Sequence, residues 1–430
     1  MTTFLPQNDT ICAPATAQGG AIAIVRISGP QSIAAADALF SRPLAEAPSH
    51  KSLFGYIGDL DEVLLTVFRA PHSYTGEDSV EIACHGSAYI VAEVLRLLQE
   101  QGCRMAGPGE FTQRAFLNGR MDLTQAEAVA DLIASTNAAT HRLAMSQMRG
   151  GITRVLGEMR EQLLTLTSLL ELELDFSDHE DLEFADRSQL TDITHRLLDH
   201  VGRLADSFRA GQAIKDGIPV AIIGAPNVGK STLLNQLLQE DRAIVSDIQG
   251  TTRDVIEDTI ILGGHTFRFI DTAGIRHTDD TVERLGIERS MQAAERAQII
   301  ILLTEPGTPY PTLDVRDDQI VIRITNKTDD FQALHGIGLS DLQDRLIEEA
   351  AQLTASDSDL IVTNARHHAA LCAARESLER VNSALALGIS GDLIAQDLRE
   401  ALFHLAEITG GEITSDEVLG NIFSHFCIGK

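Results

Sequence analysis

Residues 224–231 read GAPNVGKS, a stretch whose glycines and single lysine are spaced to hold phosphate. It follows the apolar run VAIIG and opens STLLNQLLQ, so a strand leads in and a helix leads out. In that setting Gly224 and Gly229 let the backbone turn, and the N–H groups of Asn227, Val228 and Gly229 point at phosphate oxygens. Lys230 supplies a point charge to the outer phosphates, Ser231 offers a hydroxyl to Mg²⁺, and Thr232 follows in the first helical turn.

Two further motifs follow in the order that GTP hydrolysis needs. DTAG (271–274) closes the strand FRFI, which puts Asp271 by the magnesium shell and Gly274 near the third phosphate, with Thr272 and Ala273 between. NKTD (326–329) closes IVIRIT. The Asp329 carboxylate can accept both hydrogens on the Watson–Crick edge of guanine, Asn326 can support the base's other edge, and Lys327 stands between them. Adenine would leave those groups unpaired, so the pair selects guanine. The polar loop SDIQGTTRD (246–254) brings Ser246, Asp247, Ile248 and Gly250, then Thr251 and Thr252, one of which should reach Mg²⁺.

Many GTPases orient the attacking water with a glutamine just after the DTAG glycine. Here that position is Ile275, which cannot hydrogen-bond water, and the segment that follows offers Asp279, Asp280, Glu283 and Glu288 instead. The Asn227 side chain is suited to a monovalent cation, a source of charge where other enzymes use an arginine finger. A separate question is raised by the final residues, HFCIGK, which set the Cys427 thiol four residues from the end. Chain ends usually fray and carry no chemistry.

The elements that must position these groups fall into three kinds. Residues 1–119 read as mixed α/β, with a strand in GGAIAIVRISG (19–29) and a helix in YIVAEVLRLLQEQG ending at Gly102. From 120, Leu156, Met159, Leu163, Leu166 and Leu170 recur at helical steps, as do Leu190, Ile193, Leu197, Val201, Leu204 and Phe208. RAGQAIKDG (209–217) breaks that pattern. Residues 217–353 switch to strands (IPVAIIG, HTFRFID, AQIIILLT, DQIVIRIT) between glycine-rich loops, and helical spacing returns over 354–430 through Leu371, Leu378, Leu385, Ile394 and Leu405. The economical reading is a helical domain, 120–216 with 354–430, interrupted by an inserted P-loop domain.

The charge is −28, from 62 acidic and 34 basic residues, so the chain repels phosphate backbones on average. Nucleic acid would be reached through a local basic patch or a basic partner. Five scattered cysteines without C-x-x-C point to reduced thiols in a cytoplasm, not to a disulfide scaffold or zinc site. No apolar run is long enough for a membrane span, and MTTFLPQNDT has no signal-peptide character.

The chain resembles the MnmE (TrmE) family of tRNA modification GTPases nearly end to end. The resemblance is carried by PHSYTGEDSVEIACHGS, GPGEFTQRAFLNGRMDLTQAEAVADLI, GAPNVGKSTLLN, AIVSDIQGTTRDVIED, DTAGIRHTDDTVERLGIERS and the terminal FCIGK. It implies an N-terminal α/β folate-binding domain that dimerises, and a helical bundle interrupted by a Ras-like GTPase domain. It further implies 5-formyltetrahydrofolate held by Arg26, Glu81, Arg120 and Lys430, with the arginines on its carboxylates and Glu81 on its pterin edge. By the same resemblance Ser231 and Thr252 ligate Mg²⁺, while Asn227, Ser246, Ile248 and Thr251 bind K⁺ between paired GTPase domains. Glu283 positions the water, and Cys427 takes part in the modification reaction. The implied activity is GTP hydrolysis coupled to (carboxymethyl)aminomethyl addition at C5 of the wobble uridine. The implied partners are a second copy, an MnmG (GidA)-type flavoprotein in a heterotetramer, and tRNA reached largely through that flavoprotein. Two departures stand out. After NKTD the chain runs through DFQALHGIGLSDL to a helix without the family's serine–alanine pair, and Arg120 replaces a familiar lysine. The alternative reading, a GTP-dependent switch or ribosome-assembly factor, needs neither FCIGK nor FTQRAFLNGR.

Overall fold

The computed structural model describes residues 9–17, 19–175, 187–241, 258–270, 291–355 and 360–411, together with Leu419, Ile422, Phe423, Phe426 and Gly429. It is mixed α/β with many helices. In chain order the elements of the first half are β1 (Ile11–Pro14), β2 (Ile22–Ser28), α1 (Ser32–Asp37), β3 (Ser52–Ile57), β4 (Asp61–Phe68), β5 (Ser79–His85), α2 (Ala88–Glu100), β6 (Arg104–Met105), α3 (Glu110–Leu117), α4 (Leu123–Ala134), α5 (Ala138–Met148) and α6 (Gly151–Asp175). Then come α7 (Arg187–Asp206), α8 (Phe208–Lys215), β7 (Ile218–Gly224), α9 (Lys230–Asp241), β8 (Asp258–Leu262), β9 (His265–Phe269), β10 (Ile299–Thr304), β11 (Ile320–Thr325), α10 (Leu339–Leu353), α11 (Ala365–Ala386) and α12 (Gly391–Thr409). The chain divides into two compact units, one of residues 1–134, 144–175 and 398–430, the other of residues 135–143 and 176–397.

The first unit holds a six-stranded sheet in the order β3-β4-β5-β2-β1-β6. Alternation along its strands buries one face: Val25, Ile27, Val63, Leu65, Val80 and Ile82 pack with α2 residues Val94 and Leu98. The opposite face is open, and register lines Phe54, Leu64, Ala83 and Ile24 up across four strands. The tail is part of this unit, since Phe423 and Phe426 pack with Leu123 and Ala126 of α4. Gly429 is pressed against the backbone of β1, where a Cβ would come within 2.1 Å of the Pro14 carbonyl oxygen.

The second unit holds a five-stranded sheet in the order β11-β10-β7-β9-β8. β7, β9, β10 and β11 run parallel, and the antiparallel β8 joins β9 through Gly263-Gly264, both at positive φ as a tight two-residue hairpin requires. Every residue of β10 is buried, as expected of a central strand covered on both faces. One face packs on α9 and α10 through Leu233, Leu234, Leu342 and Leu346. The other receives Tyr310 and Leu313 from the β10–β11 connection. That connection carries no helix, because Pro306, Pro309 and Pro311 within six residues remove donors and block helical turns. RAGQAIKDG, expected to break the helical pattern, instead forms α8. Its Gly211 lets α8 approach Val362, whose carbonyl oxygen lies 2.0 Å from where a Cβ would stand.

Candidate active site

The C-terminal ends of β7, β10 and β11 lie side by side, with Gly224 level with Leu303 and Thr304 level with Thr325. A parallel sheet offers its ligand crevice at this edge. The phosphate loop leaves β7 here, and α9 begins at Lys230 with its first N–H groups turned to the loop. The loop is built around missing side chains. At Gly229, φ is +102°, and a Cβ would sit 2.4 Å from Asn326 Nδ2; at Gly224 it would sit 2.3 Å from Leu303 O. Asn227 is exposed at the loop's crest with φ +61°, a conformation asparagine tolerates better than most residues. The Lys230 ammonium curls onto the loop's own carbonyls, 2.8 Å from Gly224 O and 2.9 Å from Ala225 O. Burial draws its pKa below the ordinary lysine value.

Asn326 has a structural role besides the base contact expected of it. It is 3% exposed, its Nδ2 donates to Val228 O at 2.7 Å, and its Oδ1 accepts from Ala333 N at 3.0 Å. The side chain is mainly a tie between three loops, which leaves one Nδ2 hydrogen for a base edge. Sequence reasoning missed the third loop. Residues 332–337 close on themselves through a Gln332–Ile337 bridge, with Gly336 and Gly338 at positive φ, and hold the Ala333 amide beside Asn326. The two glycines spaced behind a buried alanine were the available signal. Thr328 fixes the intervening turn by accepting from Phe331 N at 3.1 Å, and Asp329 is exposed on it. Lys327 stands at φ +62° with Nζ 3.4 Å from Asn227 O and ion-paired to Glu305. Ser231 lies in the first turn of α9, and Thr232 follows it. Ser246, Asp247, Ile248, Gly250, Thr251, Thr252, Asp271, Thr272, Ala273, Gly274 and Glu283 lie outside the described residues.

A second constellation sits in the first unit. Arg26 and Glu81 are opposite one another on β2 and β5, and both Arg26 Nε (3.0 Å) and Nη2 (2.8 Å) donate to Glu81 Oε1. The two residues therefore hold each other, where the sequence assigned them to separate ends of a ligand. Arg26 lies over the rings of Tyr74 (5.1 Å) and Phe111 (5.7 Å), and its Nη1 donates to the Gly429 carbonyl at 3.3 Å. Tyr74 also lines a cavity of about 330 Å³ with His50, Phe68, His72, Ser73 and Arg120, none of them acidic. Burial pushes the Tyr74 phenol above its usual pKa, with Thr112 and Arg26 offsetting part of the shift. Cys427 and Lys430 lie outside the described residues.

Comparison with known proteins identifies the family. Residues 10–120 match the family model described as GTP-binding protein TrmE N-terminus, and residues 123–427 match the MnmE helical domain. Proteins named tRNA modification GTPase MnmE are similar over almost the whole chain. That of Parabacteroides distasonis is 53% identical over 460 aligned positions, covering 98% of this chain and all of the relative. That of Bacteroides fragilis is 51% identical over 464 positions, with 98% and 99% covered. The Porphyromonas gingivalis protein is 48% identical over 467, with 98% of each covered. These alignments are longer than 430 residues, so each relative carries stretches that this chain lacks. With both family models and full-length relatives in agreement, the chain belongs to the MnmE family of tRNA modification GTPases.

Proposed function

We propose that this chain hydrolyses GTP and, with an MnmG-type flavoprotein, installs a (carboxymethyl)aminomethyl group at C5 of the wobble uridine of certain tRNAs. The observation that carries the modification half is the hydrogen bond from Arg26 to Gly429 O, which ties the segment bearing Cys427 to the Arg26–Glu81 pair. A reduced folate held by Arg26, Glu81, Arg120 and Lys430 would supply the one-carbon unit. An aromatic ring at Tyr74 and a cavity without carboxylates suit an anionic, planar ligand.

For the hydrolytic half, residues 217–353 form the inserted GTPase domain between helical segments 120–216 and 354–430, behind an N-terminal domain of residues 1–119. Asp329 reads guanine. Lys230 exchanges the carbonyls of Gly224 and Ala225 for phosphate oxygens, and Glu283 orients water where Ile275 cannot. Ser231, at the start of α9, fits a magnesium ligand with Thr252 as the second; Asn227, Ser246, Ile248 and Thr251 would hold K⁺. Homodimerisation is supported by the open sheet face, where Phe54 and Leu64 are exposed in one cross-strand row. The charge of −28 favours tRNA contact through the partner.

The test is mass analysis of tRNA wobble uridines in cells lacking the protein, complemented with wild type or Cys427→Ser. The expected result is loss of the modified uridine, restored by wild type and not by the serine variant. Unchanged uridine in all strains would sink the modification reading.

A further inference from the structure

Resting on the guanine-nucleotide reading, we propose that Glu305 is a positioning residue that sets Lys327 before the nucleotide arrives. Lys327, like the buried Asn326, reaches back across the site to the phosphate loop. Its backbone is held at φ +62°, where a non-glycine residue persists only if its surroundings impose it, and its Nζ comes within 3.4 Å of the phosphate loop's Asn227 O. The stem therefore spans the gap between the two loops that must grip opposite ends of one ligand. Its methylenes form a surface on which a planar base can lie.

Glu305 is placed for the task by topology. β10 runs between β7 and β11, so the first residue beyond it stands between the phosphate loop and NKTD. Thr304 is level with Thr325, which sets Glu305 level with the start of NKTD. The turn after it is pinned twice. Thr304 Oγ1 donates to Thr308 O at 2.9 Å, and the Tyr310 hydroxyl meets Thr325 Oγ1 at 2.9 Å. The Glu305 carboxylate pairs with Lys327 Nζ, with the two side chains 38% and 56% exposed. An ion pair that open adds little to folding stability. Its effect is on order: a lysine otherwise free to sample many rotamers is held in one, so less entropy is lost when nucleotide binds.

The test is a double-mutant cycle read by fluorescent GDP binding to the full chain. Glu305→Ala is expected to weaken GDP binding ~5–20-fold, mainly through faster release, with an unchanged melting temperature and unchanged kcat at saturating GTP. Glu305→Gln, which keeps an acceptor, should recover part of the loss. In a Lys327→Ala background, Glu305→Ala should have no further effect. Equal weakening in both backgrounds, or affinity within twofold of wild type, would overturn the role of Glu305. Failure of the wild-type chain to bind GDP would instead overturn the nucleotide reading on which it rests.

Discussion

Lys230 is the residue whose environment most directly predicts behaviour. Burial lowers its pKa while its ammonium rests on two carbonyls of the phosphate loop. A triphosphate beside it would raise that pKa again, so between the two values binding takes up a proton. GTP affinity should therefore fall as pH rises from neutrality into the alkaline range. Calorimetry at alkaline pH in buffers of different ionisation heat should show net proton uptake, and Lys230→Met should abolish it. The identity of this lysine was legible from GAPNVGKS alone. The loop tie made by Asn326 was not, because its bond to Val228 joins residues 98 apart in sequence. The pairing of Arg26 with Glu81 was equally hidden, because strand register, which makes them partners, is invisible in either stretch by itself.

At the scale of elements, periodicity was a good guide wherever an element packs on one face. Leu156, Leu163, Leu166 and Leu170 of α6 and Leu190, Leu197 and Leu204 of α7 are buried as their spacing implies, and the four apolar runs around the phosphate loop are strands β7, β9, β10 and β11. α8 escaped because a glycine in RAGQAIKDG reads as a breaker, whereas Gly211 serves close packing in a helix. Gly211→Ala tests this directly. Its methyl would collide with Val362 O, a backbone atom that cannot swing aside. We expect a loss of at least ~2 kcal/mol in urea unfolding. A change below ~0.5 kcal/mol would mean that α8 can shift without penalty. No periodic signal in the sequence marks Tyr310 and Leu313, in the proline-rich β10–β11 connection, as covering the sheet.

For the molecule as a whole, charge is the dominant feature. Sixty-two acidic residues against 34 basic ones make the native state repel itself at neutral pH. Raising NaCl from ~20 to ~200 mM shortens the Debye length from ~20 Å to ~7 Å and should raise the melting temperature by a few degrees. A melting temperature that falls over this range would mean that ion pairs such as Arg114 with Asp9 and Glu110 outweigh the net repulsion. Among the described residues no helix is long and apolar enough to cross a membrane.

The tie from Asn326 to Val228 and Ala333 also bears on how the protein is made. One amide stitches the phosphate loop to two loops that lie about a hundred residues further along the chain, and the parallel pairing of β7 with β10 is also remote in sequence. Such pairings form late, after long stretches of chain have been closed into loops. A chain growing on the ribosome would therefore have its phosphate loop in hand long before it could grip a nucleotide. On the nucleotide reading proposed above, GTP capture would wait until the 332–337 turn has emerged and closed over Asn326, and would then report that the whole second sheet is in place.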